Sequence, residues 1–276
     1  MYHVVQNNLF HEFGFKTLIE ALEECGADYT ITKVIPYAHE LEEDINLPEG
    51  NIMVWGSTTL GGIAVDKGWK PGVFKNDKFD MQYLTKRFGL HMLNADAQFC
   101  TFGELDFEGE KFIRPVHDSK SFSGMVVARE KVTQWQEQVL GISDGYTTLR
   151  LDTPVMYAEP KNIDLEARFF IVDNRVVTGS SYRTIGRQCM YQRVDTSNPV
   201  FYPMVEFVKD MLAVDYSNET DTYEANYAEP ICEAYVMDIG LVDGEYKVVE
   251  INSLNSAGFY ACDMRAVVRA LEVLYV

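Results

Sequence analysis

The sequence predicts an α/β protein in which a small amino-terminal α/β domain precedes a region of mixed, largely antiparallel strands. An apolar strand, a segment with helical spacing and two further strand-like runs follow one another in residues 2–55. That is the order of a parallel sheet with a crossover helix. Farther along the chain, Asp173-Asn174 and Asp243-Gly244 each separate two strand-like segments, which is typical of β-hairpins.

The apolar and turn residues divide the chain into three predicted segments. These are an α/β domain (1–76), a central helix with a β-β-α unit (77–155) and a carboxy-terminal sheet domain (156–276). The spacing of apolar residues predicts strands at 2–6, 29–35, 51–55, 112–115, 125–127, 154–160, 165–172, 175–183, 234–241 and 246–252, and helices at 12–25, 77–88, 129–140, 199–212 and 263–275. Gly26, Pro36 and Gly141 end three of these elements.

The composition is that of a globular enzyme, with 47% hydrophobic and 13% aromatic residues among 276. The formal charge of −18 argues against a nucleic acid or an anionic membrane as partner, because both require a basic surface. The five cysteines lack metal-binding spacing, so we expect free thiols. Without a signal peptide or a membrane-spanning apolar run, we expect a cytoplasmic protein.

The second hairpin carries three oxygen-bearing side chains. Glu250 and Asn252 are two residues apart on one strand and therefore share a face. To put the apolar residues of both strands on one face, each residue must pair with one whose number has the same parity, and this puts Asp238 on the face of Glu250 and Asn252. A two-residue turn would break that parity, so we expect a three-residue or bulged loop at 243–245. Two carboxylates and an amide oxygen suit Mg²⁺. Alternatively, Asp238 and Glu250 are solvated residues of an ordinary amphipathic hairpin.

Residues 111–127 read as a strand, a loop of small residues that contains Lys120, and a second strand. Such a unit can close over phosphates, since backbone N–H groups and a lysine supply a positive field. Residues 56–62 form a second glycine-containing loop after a strand, where an open α/β sheet often places ligands. Ordinary turn chemistry explains those glycines equally well.

The first hairpin groups one acid with two arginines. Glu166 and Arg168 share a face of their strand. With a two-residue turn, Val172 pairs with Arg175, so Glu166 faces Ser181 and Arg183 lies one pair farther along the same face. A cross-strand ion pair is one interpretation of this cluster, and a ligand site is the other.

Asp238, followed twelve residues later by Glu250-Ile251-Asn252, resembles the metal-binding end of ATP-grasp ligases. The resemblance covers most of the chain and looks closest to a divergent bacterial and phage clade in which arginines partly replace the usual phosphate-binding lysine. Here Arg114-Pro115 stands where Lys-Pro is usual. The resemblance implies an ATP-grasp fold, with residues of about 95–155 forming the lid, and it assigns the loop at 56–62 to the substrate side of the cleft.

The resemblance also implies roles for individual residues. It assigns the ATP phosphates to Arg114 and Lys120, the ribose hydroxyls to Glu166, and the adenine to the strand that contains Met156 and Ala158. It gives Arg168 and Arg183 a catalytic role beside the transferred phosphate or acyl phosphate. Mg²⁺ or Mn²⁺ would be held by Asp238, Glu250 and Asn252. Residues 154–160 can also be interpreted as a buried linking strand. Arg114 and Lys120 can also be interpreted as ordinary surface charges.

The function that the resemblance implies is an ATP-dependent carboxylate–amine or carboxylate–thiol ligase that forms an acyl phosphate. Two alternatives stay open: a phosphotransferase on the same scaffold, and a nucleotide-binding protein without turnover. The expected partners are a small-molecule carboxylate and an amine, with an amino acid or a peptide among the candidates, and the expected cofactors are ATP and Mg²⁺. Neither the substrates nor a homo-oligomeric state can be read from the sequence.

Overall fold

The computed structural model describes residues 1–9, 13–36, 38–75, 77–117, 121–141, 148–184, 191–194, 197–199, 201–213 and 230–275. Its strands are β1 (Tyr2–Gln6), β2 (Asp28–Thr32), β3 (Ile52–Trp55), β4 (Pro71–Gly72), β5 (Gln98–Thr101), β6 (Glu110–Pro115), β7 (Met125–Ala128), β8 (Pro154–Ala158), β9 (Leu165–Val172), β10 (Arg175–Thr184), β11 (Gln192–Arg193), β12 (Ala234–Val242) and β13 (Glu245–Asn252). Its α-helices are α1 (Phe13–Cys25), α2 (Thr58–Asp66), α3 (Met81–Phe88), α4 (Arg129–Gly141), α5 (Tyr202–Ala213) and α6 (Met264–Leu274).

The chain forms two compact units. The first unit comprises Met1–Asn76, Leu165–Ile239 and Ile251–Val276, and the second comprises Asp77–Asp164 and Gly240–Glu250. Parallel and antiparallel sheets are both present, which confirms the predicted α/β class. Within the described part of the chain, no helix has the length and apolarity needed to cross a membrane.

The amino-terminal strands of the first unit form a parallel sheet of order β2-β1-β3-β4, with α1 connecting β1 to β2. β3 (IMVW) is a continuous apolar run, whereas β1 (YHVVQ) also contains His3 and Gln6, and both strands are buried on both faces, as central parallel strands must be. Val5, Met53 and Trp55 pack in one core with residues of α1 and α6, such as Leu22 and Val268. This is the predicted β-α-β-β beginning.

The first hairpin belongs to a five-stranded sheet of order β11-β10-β9-β12-β13. Asp173 and Asn174 form its turn with φ of 51° and 55°, and Val172 pairs with Arg175 as predicted. Farther along, β10 departs twice from regular pairing, so that Arg183 rather than Ser181 lies opposite Glu166. The predicted register for Glu166 is therefore wrong, because each irregularity adds one residue to β10 and none to β9.

The second hairpin turns through two residues only. β12 ends at Val242, β13 begins at Glu245, and Asp243 and Gly244 have φ of 51° and 81°. The predicted longer or bulged loop at 243–245 is wrong, since an Asp-Gly pair adopts positive φ readily and its tight turn matches the twist of the strands. The register argument that placed Asp238 beside Glu250 thereby loses its basis.

The second unit contains an antiparallel sheet of order β5-β8-β6-β7, with α4 following β7. Its core includes Phe102, Ile113, Val132 and Val155, all fully buried. Trp135 of α4 packs edge-on against Phe102, with 4.8 Å between ring centroids. The helical spacing of Val132 and Trp135 positions this face of α4 on the core.

Candidate active site

A buried ion pair joins two strands of the five-stranded sheet. Arg168 of β9 donates from Nε to Asp238 Oδ1 at 2.8 Å and from Nη2 to Asp238 Oδ2 at 2.7 Å. The side chains are 10% and 1% exposed. Burial lowers the pKa of Arg168, but the Asp238 carboxylate more than offsets this, so the pKa lies above its ordinary value and the guanidinium stays charged.

Two tyrosine rings face the same guanidinium. Arg168 Cζ lies 5.6 Å from the centroid of the Tyr182 ring and 5.3 Å from that of Tyr260. The two rings stack at 4.9 Å, and these contacts hold the arginine in an aromatic enclosure. Tyr182 is the extra residue at the second irregularity of β10, between Ser181 and Arg183. Alternation of apolar residues does not reveal where a strand departs from regular pairing, so this role of Tyr182 does not follow from the sequence.

A second ion pair lies on the same hairpin. Arg183 Nη1 donates to Glu166 Oε2 at 3.2 Å. The Glu166 side chain is 6% exposed, whereas that of Arg183 is 60% exposed. Glu166 and Arg168 alternate on β9 and share its face, so the hairpin groups Glu166, Arg168 and Arg183. One guanidinium of this group is buried and fixed, and the other is largely solvated.

The second unit holds a separate arginine–carboxylate pair. Arg114 Nη1 of β6 donates to Glu250 Oε2 at 2.7 Å, and the side chains are 18% and 25% exposed. Arg114 pairs across the sheet with Met156 of β8. Met156 and Ala158 are buried, at 0% and 3% exposure, so both side chains contribute to packing here. Lys120 lies outside the described residues.

The three predicted metal ligands are distributed over both units. Asp238 and Asn252 belong to the first and Glu250 to the second. Their oxygens are of the hard type that suits Mg²⁺, and Glu250 and Asn252 are half-buried at alternate positions of β13. Each carboxylate already binds an arginine, and both oxygens of Asp238 do so. Among the residues described, no cluster of three His, Cys, Asp or Glu side chains could hold a metal.

A family comparison identifies the chain. The model of an ATP-grasp domain, family 3 of the R-2-K clade, matches residues 65–271. The chain belongs to this ATP-grasp family. The resemblance seen in the sequence is thereby confirmed, and the match covers the strands that carry Arg114, Arg168, Asp238 and Glu250. No curated protein matches the ATP-grasp chain.

Solved structures share the fold of this ATP-grasp protein. PsnB, an ATP-grasp ligase complexed with a minimal precursor, has a TM-score of 0.54 and 12% identity, covering 100% of this chain and 99% of its own. A RimK domain ATP-grasp protein from Sphaerobacter thermophilus DSM 20745 has a TM-score of 0.56 and 10% identity, and the match covers 99% of this chain and 100% of that protein. D-alanine–D-alanine ligase from Bacillus anthracis, complexed with ATP, has a TM-score of 0.53 and 13% identity, and the match covers 99% of this chain and 98% of the ligase. At these identities the similarity establishes the fold.

In each unit of this ATP-grasp protein, an arginine offers donors that suit an anionic group. A buried guanidinium cannot lose its proton or reorient easily, so it presents a fixed positive charge that requires no reorganisation during a reaction. A half-buried arginine, such as Arg114, can exchange a carboxylate for a phosphate, because both are bound by the same planar fork of donors.

Proposed function

We propose that this ATP-grasp protein is an ATP-dependent ligase that activates a carboxylate as an acyl phosphate, releases ADP and transfers the acyl group to an amine or a thiol. The observation that carries the proposal is the Arg168–Asp238 pair, which fixes a buried guanidinium on the hairpin that also bears Glu166 and Arg183. Phosphoryl transfer is catalysed mainly by positioning and by stabilisation of charge on the transferred group. Family membership supports this proposal.

In this proposal several positively charged side chains stabilise the negative charge of the reactants. Arg168 and Arg183 act on the transferred phosphate and the acyl phosphate, while Arg114 and Lys120 bind the ATP phosphates. Glu166, whose carboxylate is buried, accepts hydrogen bonds from the ribose hydroxyls. The strand that contains Met156 and Ala158 borders the adenine, and its backbone supplies the polar contacts. The chain itself needs no covalent nucleophile.

Asp238, Glu250 and Asn252 are the proposed ligands of Mg²⁺ or Mn²⁺. When bound, such an ion would neutralise phosphate charge and help to orient the triphosphate. Glu250 and Asn252 are half-buried, and Glu250 Oε2 also accepts a hydrogen bond from Arg114. Asp238 is 1% exposed and both of its oxygens bind Arg168, so an ion would share these oxygens with the guanidinium through their second lone pairs. In this proposal the Arg168–Asp238 pair stays intact and holds both side chains in place.

Substrate-dependent ADP formation tests the proposal. The protein would be incubated with ATP and Mg²⁺ together with acids alone, amines alone and both, including amino acids and short peptides. We expect ADP and a condensed product, identified by mass spectrometry, when both substrates are present. The proposal also includes a cytoplasmic location, because ATP is available there. ADP formation with one acceptor and no amine would instead indicate a phosphotransferase. A rise in melting temperature with ATP and Mg²⁺, without ADP from any mixture, would indicate a nucleotide-binding protein.

A matched pair of variants assigns the activity to this site. Glu250→Gln removes the charge of a proposed metal ligand and should abolish turnover. Glu245→Gln lies on the same strand, is 72% exposed and pairs with the neighbouring Lys247, so its turnover should equal that of the unaltered protein. Equal turnover by both variants would remove Glu250 from the proposed site.

A further inference from the structure

The first unit contains a cavity of about 350 Å³, within the range of roughly 300–1,000 Å³ typical of small-molecule sites. It lies where β1 and β3 end, since Gln6 and Asn7 line it on one side and Gly56 on the other. From β1 the chain passes to β2 on one flank, whereas β3 lies on the opposite flank. Such a switch in strand order is where open α/β sheets place their ligands.

The described residues of the cavity wall are uncharged, and most of them are apolar. Aromatic and aliphatic side chains, among them Phe15, Leu18, Trp55 and Phe259, form most of it. Its polar side chains are amides, a serine and tyrosines, so no described lining residue is ionised at neutral pH. A charged group that entered would lose its hydration without gaining an ionic partner from the described lining residues. The lining therefore favours a group that is apolar and uncharged.

Most polar groups beside the cavity already have partners that fix them. Gln6 Oε1 accepts hydrogen bonds from the Ser57 amide and hydroxyl groups, both at 2.9 Å. Asn255 bonds the backbone of Val54 and Phe74. Asn7 Oδ1, in contrast, is buried and has no hydrogen-bond partner among the described residues. The rigid polar frame sets the shape of the cavity.

Two residues of the cavity wall also contact Arg168. The Gly258 carbonyl accepts from Arg168 Nη1 at 3.5 Å, and the Tyr260 ring packs on the Arg168 guanidinium. Gly258 and Tyr260 also line the cavity. A molecule bound in the cavity therefore lies next to the arginine that the proposed function places at the reacting group.

We propose that this cavity selects a substrate by an uncharged aromatic or large aliphatic side group. The ligand class is an amino acid or peptide that bears such a group, with its charged reacting end outside the cavity on the side of Arg168. The identification of the ligand as a substrate rests on the proposed function. The preference for an uncharged apolar group rests on the lining alone.

Capped amino acids test the preference without ATP. N-acetyl-phenylalaninamide and N-acetyl-leucinamide would be compared with N-acetyl-glutamate amide and N-acetyl-lysinamide by titration calorimetry. We expect the two neutral probes to bind at least about tenfold more tightly than the two charged ones. Equal binding of charged and neutral probes, or binding of none, would overturn the proposal.

Three variants locate the binding. Ser256→Phe fills the cavity, and Tyr191→Ala removes a 51% exposed side chain from its wall; each should weaken binding of the phenylalanine probe by at least about tenfold. Tyr202→Ala is the control, because Tyr202 is 50% exposed and lies outside the cavity, and its binding should not change. Normal binding in both Ser256→Phe and Tyr191→Ala would place the probe elsewhere and overturn the proposal. If Ser256→Phe fails to fold, as its melting curve would show, Tyr191→Ala decides.

The two proposals fail separately. If the neutral probes bind as expected but no mixture of acid and amine yields ADP, the cavity stands as a binding site and the ligase proposal fails. If ADP forms only with charged or small hydrophilic substrates and the neutral probes do not bind, the ligase stands and the selection proposed for the cavity is wrong.

Discussion

Arg168 and Asp238 form two parallel hydrogen bonds across neighbouring strands, at 2.8 Å and 2.7 Å, with the carboxylate almost completely buried. Two charges at this depth are tolerated because each compensates the other. The pair also immobilises the guanidinium, since both donors on one edge are occupied and the rings of Tyr182 and Tyr260 cover it. The guanidinium is therefore held in one position, and its burial as a charged group depends on the Asp238 carboxylate.

Removal of the Asp238 charge should destabilise the protein strongly. Asp238→Asn leaves the guanidinium buried beside a neutral amide, and breaking one side of a buried pair lowers the free energy of unfolding by about 3–5 kcal/mol. Urea unfolding measures the change. In the control Glu206→Gln, the pair with Lys209 is 41% and 54% exposed, so solvent screens it and the loss should be far smaller than in Asp238→Asn. Equal small losses in both variants would show that the Arg168–Asp238 pair is not the buried pair described.

Arg114 should matter for nucleotide affinity more than for folding. Arg114→Met keeps the aliphatic stem but removes the donors proposed for phosphate, so the affinity for ATP should fall by at least about tenfold. Lys111→Met is matched to it, because Lys111 lies on the same strand, is 19% exposed and pairs with Glu159. Calorimetric titration with ATP and Mg²⁺ compares the two. If both variants lost affinity for ATP equally, the loss would reflect the positive charge of the strand in general and not a specific contact of Arg114 with phosphate.

Acid should destabilise the first unit through His3. Burial lowers the pKa of His3 below its ordinary 6.5, although Glu272, 2.9 Å away, raises it. His3 Nδ1 accepts from Trp55 Nε1 at 3.0 Å, which leaves the proton on Nε2 for Glu272. The folded protein thus binds the proton less well than the unfolded chain. The stability that His3 contributes is complete above pH 6.5 and is lost as the pH falls through the lowered pKa.

Glu272 extends this loss to lower pH. Burial raises the pKa of its carboxyl, but hydrogen bonds from the Met1 amino group and His3 outweigh burial and hold the pKa below its ordinary 4.5. Its contribution is therefore present above pH 4.5 and disappears as the pH falls through the lowered pKa. Urea unfolding from about pH 8 to about pH 3, a range that includes the upper limits of both lowered pKa values, 6.5 and 4.5, should show the first loss as the pH falls below 6.5. His3→Gln should remove that first stage. A flat profile in the unaltered protein would contradict this account.

Gly56 should not tolerate a side chain. A Cβ there would lie 2.7 Å from Gln6 Oε1, 2.8 Å from Gln6 Cβ and 2.9 Å from Leu60 Cδ2. Gln6 is held by two hydrogen bonds from Ser57 and cannot move freely, so Gly56→Ala should cost about 1–3 kcal/mol in urea unfolding. Gly141→Ala is the control, because a Cβ there meets nothing within 4 Å, and it should not lower stability. Equal stability of the two variants would show that the Gly56 contact relaxes.

The sequence predicts the elements that local chemistry determines. Continuous apolar runs such as 52–55 predict buried parallel strands, and the Asp173-Asn174 pair predicts a tight hairpin turn. At Asp243-Gly244 a register deduced from apolar alternation overrides the same signal, and the longer loop predicted there is wrong. Registers are harder, because an extra residue in a strand leaves no mark on the apolar pattern. The two irregularities of β10 move Arg183 opposite Glu166 and insert Tyr182 beside Arg168. Neither consequence follows from alternation.

The partners of the site residues were also beyond sequence reasoning. Asp238 and Glu250 lie on the two strands of one hairpin, yet Asp238 binds Arg168 and Glu250 binds Arg114, from strands distant along the chain. Such partners are set by tertiary packing, for which sequence spacing gives no measure. Family resemblance, rather than geometry, carries the metal assignment of Asp238, Glu250 and Asn252.

The most direct test of the ligase proposal follows the oxygen atoms of the acid. A substrate acid labelled with ¹⁸O in its carboxylate would be incubated with the amine, ATP and Mg²⁺, and the phosphate released would be analysed by mass spectrometry. An acyl-phosphate intermediate transfers one carboxylate oxygen to phosphate, so we predict one ¹⁸O in each phosphate for each molecule of product. Product formation with unlabelled phosphate would contradict the account.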